Sequence, residues 1–104
     1  MDKTSLTITG QSGAPDIKFD VAGYIAYDTA GEFEKALSDS IKDNPESITV
    51  DMGKVTVFTS IGIRVLLKVY KTTKEKGIEF QIVNPADIVK SVLKLSNLAE
   101  LLLK

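Results

Sequence analysis

Cysteine and histidine are both absent from the 104-residue chain. Without cysteine there is no disulfide framework, no thiolate zinc site and no cysteine nucleophile. Without histidine, the usual neutral-pH acid/base group and the commonest metal ligand are missing. These two zeros remove most hydrolase and metalloenzyme readings. An excess of one charge is lacking as well: 13 Lys+Arg against 14 Asp+Glu leave a net of −1. Phosphate binding draws on a basic excess, so nucleic acid is not the expected main partner. Long apolar runs are also missing. Met1-Asp2-Lys3-Thr4-Ser5 leads into alternating residues, not into the apolar core of a signal peptide. No stretch approaches the roughly 20 apolar residues of a membrane span. The expectation is a cytosolic chain with no direct membrane insertion, in keeping with the lack of cysteine. What is present is ordinary: 43% hydrophobic and 26% charged residues fit a folded domain. One domain over residues 1–104 is expected, with a monomer as its default state.

Period-two alternation at Leu6 and Ile8, and again at Ile17, Phe19 and Val21, predicts two strands around the breaker-rich turn from Gln11 to Asp16. The pair is expected to be antiparallel, with Gly23 closing the second strand. Thr29 with Glu32 three residues on forms a capping box, and Phe33, Ala36, Leu37 and Ile41 follow at helical spacing. Pro45 ends that helix. Ile48 to Met52 reads as a short buried strand, and Gly53 to Thr59 as a loop without a clear period. A helix then opens at Ser60, with Val65, Leu66, Val69, Tyr70 and Thr73 inward, and closes at Lys76-Gly77. Glu79 to Val83 alternates as a strand. Asn84-Pro85-Ala86-Asp87 is a helix start with a cap, a proline at the first helical position and an acid in the first turn. Ile88, Val89, Val92 and Leu93 carry that helix inward, and Leu98 to Leu103 adds a leucine-rich close. Strand, helix, strand, helix from Ile48 onward is a βαβ pattern with a parallel pair. The fold class is therefore α/β: a small mixed β-sheet of about four to five strands with helices packed on it.

Gly53-Lys54 does not open a phosphate loop, because Ile48 stands where that motif needs glycine and Val55 where it needs serine or threonine. No G-x-G-x-x-G marks a dinucleotide site. Asp28, Glu32 and Asp51 are read as solvated or capping carboxylates, since nothing identifies a substrate pocket. The informative segment is Thr59-Ser60-Ile61-Gly62. A hydroxyl at a helix start ordinarily caps it. A phosphate on Ser60 would also be accommodated there, at the positive end of the helix dipole, adding a charge of roughly −2 without unfolding anything. Arg64, Lys68 and Lys71 form a basic stripe at i, i+4 and i+7, read either as a solvated face or as a docking ridge beside Ser60. Val57 and Phe58 either extend that surface or plug the core.

The run from Val50 to Leu67 resembles the STAS domain of bacterial anti-sigma factor antagonists. Members carry a strand ending in Asp-Leu-Ser, a loop, then Asp-Ser-Ser-Gly-Leu opening a helix with Val-Leu-Leu. Val21-Ala22-Gly23-Tyr24-Ile25, the Lys76-Gly77 turn before Phe80-Gln81-Ile82-Val83-Asn84, and Val92 to Leu98 are similar to further family segments, so the resemblance spans nearly the whole chain. It implies a STAS-like fold and a non-enzymatic regulator that switches partners, with no cofactor. Unmodified, such a protein binds an anti-sigma factor that is also a serine kinase. The kinase phosphorylates it with ATP at the helix-start serine, and a phosphatase reverses this. The motif puts the acceptor at Ser60, with Thr59 as the alternative. The partner-binding residues are expected to be Thr59, Ser60, Ile61, Gly62, Arg64, Lys68 and Lys71. Two family acids are replaced, by Thr59 before the acceptor and by Ala26 after the second strand. They motivate an alternative: an unphosphorylated STAS subunit of a membrane lipid or anion transport complex. A third reading, an enzyme or nucleotide-hydrolysing domain, has no histidine, cysteine or phosphate loop to support it, although the resemblance leaves weak binding of ATP or GTP open.

Overall fold

The computed structural model of the chain describes residues 6–13 and 15–103, without the side chains of residues 11–13. Met1 to Ser5, Ala14 and Lys104 lie outside the described residues. The order is β1 (Leu6–Gly13), β2 (Asp16–Ile25), α1 (Ala30–Lys42), β3 (Ser47–Phe58), α2 (Ser60–Lys76), β4 (Glu79–Val83), α3 (Asp87–Leu95) and α4 (Ala99–Leu102). The strands lie in the order β1-β2-β3-β4. The first pair is antiparallel, whereas β2–β3 and β3–β4 are parallel. Leu103 adds a single parallel bridge to Ile82 at the outer edge. The mixed sheet is the expected one, and β2-α1-β3 supplies a parallel crossover in addition to the expected β3-α2-β4.

Register explains why one face of the sheet holds the core. Ile17, Ile48 and Phe80 stand side by side, as do Phe19, Val50 and Ile82, and all six are buried. Period-two pleating puts their neighbours on the opposite face. There Lys18, Thr49 and Gln81 form a row, followed by Asp20, Asp51 and Val83, all exposed or half-buried. Phe33, Leu37 and Ile41 of α1, Val65, Leu66 and Val69 of α2, and Val89 and Leu93 of α3 join the strand residues in one apolar cluster.

Several local expectations are corrected. The segment Gly53 to Thr59 is not a loop: β3 continues to Phe58. Gly53 and Lys54 are both exposed, which breaks the alternation, and the buried residues beyond them are Val55 and Phe58. β2 likewise runs past Gly23 to Ile25. It does so through register shifts between Asp20 and Ala22 and between Gly23 and Tyr24, with Gly23 at φ 103. A β-bulge of this kind bends a strand and re-aims its end. Thr29 does not form a capping box, because its own backbone is near-helical and its hydroxyl is engaged by the preceding turn. Asn84 is not the cap of α3, and Pro85 is not in its first turn. Asn84 sits at φ 47 with its side-chain amide on Asp51, and the helix starts after Ala86. Ile88 is 41% exposed, so the inward face of α3 is Val89 and Leu93 with Val92 half-buried. Tyr70 is half-buried, with the Lys74 ammonium 5.8 Å from its ring centre. Gly77 ends α2 as expected, in the left-handed conformation at φ 73 that a side chain would strain.

Candidate functional site

Parallel strands leave their connecting turns at one end of the sheet, and ligands of α/β folds gather there. Here β2 and β3 finish side by side, with Ile25 opposite Phe58. The turn Ala26 to Thr29 and the start of α2 therefore emerge together. One carbonyl joins them: Ile25 O accepts both the backbone N–H of Thr59 and the Thr59 hydroxyl, each at 3.2 Å.

The first turn is pinned from within. Thr29 is buried, its Oγ1 accepting the Ala26 N–H at 3.0 Å and donating to the Tyr24 carbonyl at 2.7 Å. This tie folds the chain back after β2 and leaves Tyr27 pointing out, 86% exposed. An exposed aromatic beside a groove is a common anchor for a protein partner.

The second turn is set by Gly62. A Cβ at this position would lie 2.6 Å from Cε1 of Phe58 and 3.0 Å from Cγ2 of Ile25. Only glycine allows the first turn of α2 to seat so closely on the strand ends. Thr59 precedes the helix in an extended conformation and makes no side-chain cap. The first amides of the helix, at Ser60 and Ile61, have no intrahelical acceptor, and the first turn holds no acid. Ser60 is exposed, and its hydroxyl has no hydrogen-bond partner among the described residues. The expected cap is therefore not what holds it.

Ala26, Tyr27, Thr59, Ser60, Ile61 and Arg64 line an open groove of about 460 Å³. It continues between α1 and α2, where Arg64 and Ile61 share a second hollow with Glu34 and Lys68. The structure thus brings Thr59, Ser60, Ile61 and Arg64 together over Gly62. The basic stripe divides. Arg64 is exposed and has no ion-pair partner among the described residues, whereas Lys68 is held by Glu34 of α1 at 2.6 Å. Lys71, also exposed, lines neither hollow. Phe58 is a core plug and Val57 is half-buried. Sequence reasoning missed Tyr27, Thr29 as a pin, and Glu34 as the partner of Lys68. A lone aromatic in the polar turn after a strand was the signal available for Tyr27.

Among the described residues no group of three or more Cys, Asp or Glu converges as a metal site, and no helix is long and apolar enough to cross a membrane. Among the described residues the arrangement is chemically simple: a hydroxyl without a partner, two helix amides without an intrahelical acceptor, one guanidinium without an ion pair and an exposed phenol ring.

Comparison with known proteins adds three findings. A family model described as STAS domain matches residues 5–104. No relative was found among curated protein sequences. Solved structures do resemble the chain. A crystal structure of an anti-sigma factor antagonist from Mycobacterium paratuberculosis superposes with a TM-score of 0.88 at 21% identity, over 98% of this chain and 87% of that one. The anti-sigma factor antagonist SpoIIAA in its unphosphorylated form gives 0.82 at 13% identity, over 94% and 86%. SpoIIAA in its phosphorylated form, a Bacillus cell fate determinant, gives 0.76 at 12% identity, over 94% and 89%. At these identities the likeness is one of fold.

Proposed function

The chain belongs to the STAS domain family, and on that footing we propose that it is a cytosolic regulatory binding protein of the anti-sigma factor antagonist type, switched by phosphorylation of Ser60. The observation that supports this reading most directly is the exposed Ser60 hydroxyl, unbonded among the described residues, at the open end of α2. The groove beside it carries an exposed aromatic and an unpaired guanidinium, features suited to binding a protein rather than to catalysis. Thr59 is the weaker acceptor, because its hydroxyl is half-buried and already donates to Ile25 O. The whole chain acts as one domain, monomeric when free. Its partner is an anti-sigma factor that is also a serine kinase.

In the transfer, Ser60 Oγ attacks the γ-phosphorus of ATP held by that kinase. The new Oγ–P bond forms as the bond to the β-phosphate oxygen breaks, ADP leaves, and the hydroxyl proton passes to solvent. A phosphatase returns the hydroxyl by hydrolysis. The phosphate brings a charge of about −1.5 to −2 to a surface that the unmodified protein uses for docking. It releases the partner without disturbing the core, since Ser60 packs against nothing that must move.

A second reading is favoured by one feature: the rim of the groove has no acid in the first turn of α2, and buried Ala26 stands where the family commonly has aspartate. On that reading the groove docks a membrane lipid or anion transport complex without phosphorylation. A native pull-down from source cells, with mass spectrometry of bait and partners, separates the two. Recovery of an ATP-binding serine kinase with phosphate on Ser60 is the expected result. Transporter components with unmodified Ser60 would replace the first reading by the second.

A further inference from the structure

The groove at the start of α2 contains one carboxylate, that of Glu34, and two cations, Arg64 and Lys68. Lys68 has taken the carboxylate, at 2.6 Å. Arg64 is left unpaired among the described residues, on the wall the groove shares with Ser60. The two lie four residues apart on one helix, so they occupy the same face, about 5–6 Å apart at their Cβ atoms. Long side chains on a helix lean toward its N-terminus, which carries the Arg64 guanidinium back over the turn that begins with Ser60. A guanidinium offers a planar fork of donors matched to phosphate oxygens.

We propose that Arg64 is the residue through which the phosphate acts. Resting on phosphorylation of Ser60 as the switch, this assigns Arg64 two exclusive engagements. In the unmodified protein it faces the groove and receives an acidic group of the partner, beside the Tyr27 ring. Once Ser60 is phosphorylated, its phosphate binds the guanidinium within the same helix. The partner then loses its counter-charge and meets a dianion in the same place. Glu34 and Lys68 set the bias. Because Lys68 neutralises Glu34, Arg64 has no free acid among the described residues of the groove to turn to until the phosphate arrives. Of the remaining acids nearby, Asp28 and Glu32 are exposed and line neither hollow.

The test needs neither the kinase nor the partner. The full chain carrying Ser60→phosphoserine, installed during translation, is titrated by 31P NMR between about pH 4 and pH 8, across the second ionisation of the phosphate. The parent is compared with Arg64→Ala, Lys68→Met and, as a control for net charge on a distant helix, Lys90→Ala. A guanidinium on the phosphate favours the dianion. The parent is expected to show an ionisation constant about three- to tenfold larger than Arg64→Ala. Lys90→Ala should match the parent. Lys68→Met frees Glu34 to compete for Arg64 and should fall between the two. An Arg64→Ala protein that titrates like its parent overturns the proposal, and would assign the phosphate to the helix amides alone. A cell in which Ser60 is never phosphorylated would remove the switch while leaving this titration intact, so the two failures are distinguishable.

Discussion

Two glycines, each in the first turn of a helix, should answer the same substitution with opposite signs. Gly31 of α1 has nothing within 4 Å of a built Cβ. Gly31→Ala there gains the helix propensity that glycine lacks, about 0.5 kcal/mol at a helix end where the full value of about 1 is not realised. Gly62 of α2 gains the same propensity but meets an obstacle. The new methyl would sit 2.6 Å from one carbon of the Phe58 ring, 3.0 Å from a second, and 3.0 Å from Ile25. Phe58 is 4% exposed and Ile25 is fully buried, so neither can swing aside into solvent. Overfilling a packed core of this kind costs about 1–3 kcal/mol. Packing wins, and Gly62→Ala should destabilise by about 0.5–2.5 kcal/mol net. For a domain of this size that lowers the thermal midpoint by roughly 4–8 °C for each kcal/mol.

Urea unfolding reads both signs, with the denaturant slope unchanged because the surface exposed on unfolding is nearly the same. A double-mutant cycle locates the cause. In a Phe58→Leu background the ring is gone, and the penalty of Gly62→Ala should shrink by at least half. If Gly62→Ala is as stabilising as Gly31→Ala, the close seating of α2 on the strand ends is wrong. The account of how Ser60 is positioned would fall with it.

Thr29→Val keeps the shape of the buried side chain but removes both bonds of its hydroxyl, and should cost about 1–3 kcal/mol in urea unfolding; Thr29→Ser should recover most of the loss. In α3, Leu93 is fully buried and Leu95 is 87% exposed. Leu93→Ala is therefore expected to cost about 2–5 kcal/mol and Leu95→Ala to stay within about 0.5 kcal/mol; similar values for both would mean the helix is rotated. The Asp39 carboxyl lies below its ordinary pKa of 3.8, through the hydrogen bond from Lys35 first; desolvation opposes this next, and the charges of Lys35 and Lys42 add to the lowering. A folded-state pKa below the unfolded value contributes stability that is present above pH 3.8 and is lost as the pH falls through the folded value. NMR titration of the Asp39 carboxyl carbon should give a midpoint below 3.8 that moves back up in Lys35→Ala.

The elements easiest to see in the sequence are those whose burial follows a single period. Glu79 to Val83 alternates without interruption, and Val65, Leu66, Val69 and Thr73 of α2 repeat at helical spacing; all are where the pattern predicts. The pattern fails where a local signal has a distant partner. Gly53 and Lys54 interrupt the alternation of β3 at the point where Gly53 abuts Asn84, a neighbour from beyond β4. Asn84 looks like a helix cap and instead bonds Asp51, 33 residues away. Lys68 looks like part of a free basic stripe and instead pairs with Glu34, 34 residues away. No window along the chain contains these contacts, because they exist only once β3 lies beside β4 and α1 packs beside α2.

The same physics narrows the site. Around the paired ends of β2 and β3 stand three serine or threonine hydroxyls, on Thr29, Thr59 and Ser60. Each follows a strand and precedes or opens a helix, so capping propensity treats them alike. Tertiary structure separates them. Thr29 is consumed by Tyr24 and Ala26, and Thr59 by the Ile25 carbonyl that ties the two turns together. Ser60, one residue further on and already inside the helix, points past every acceptor of the described chain. Among the described residues lining the groove, Ser60 carries the serine or threonine hydroxyl without a hydrogen-bond partner, and Arg64 is the cation without an ion pair. If Ser60 is phosphorylated as proposed, the reversible charge falls between those two groups at no cost to the core, because both are exposed.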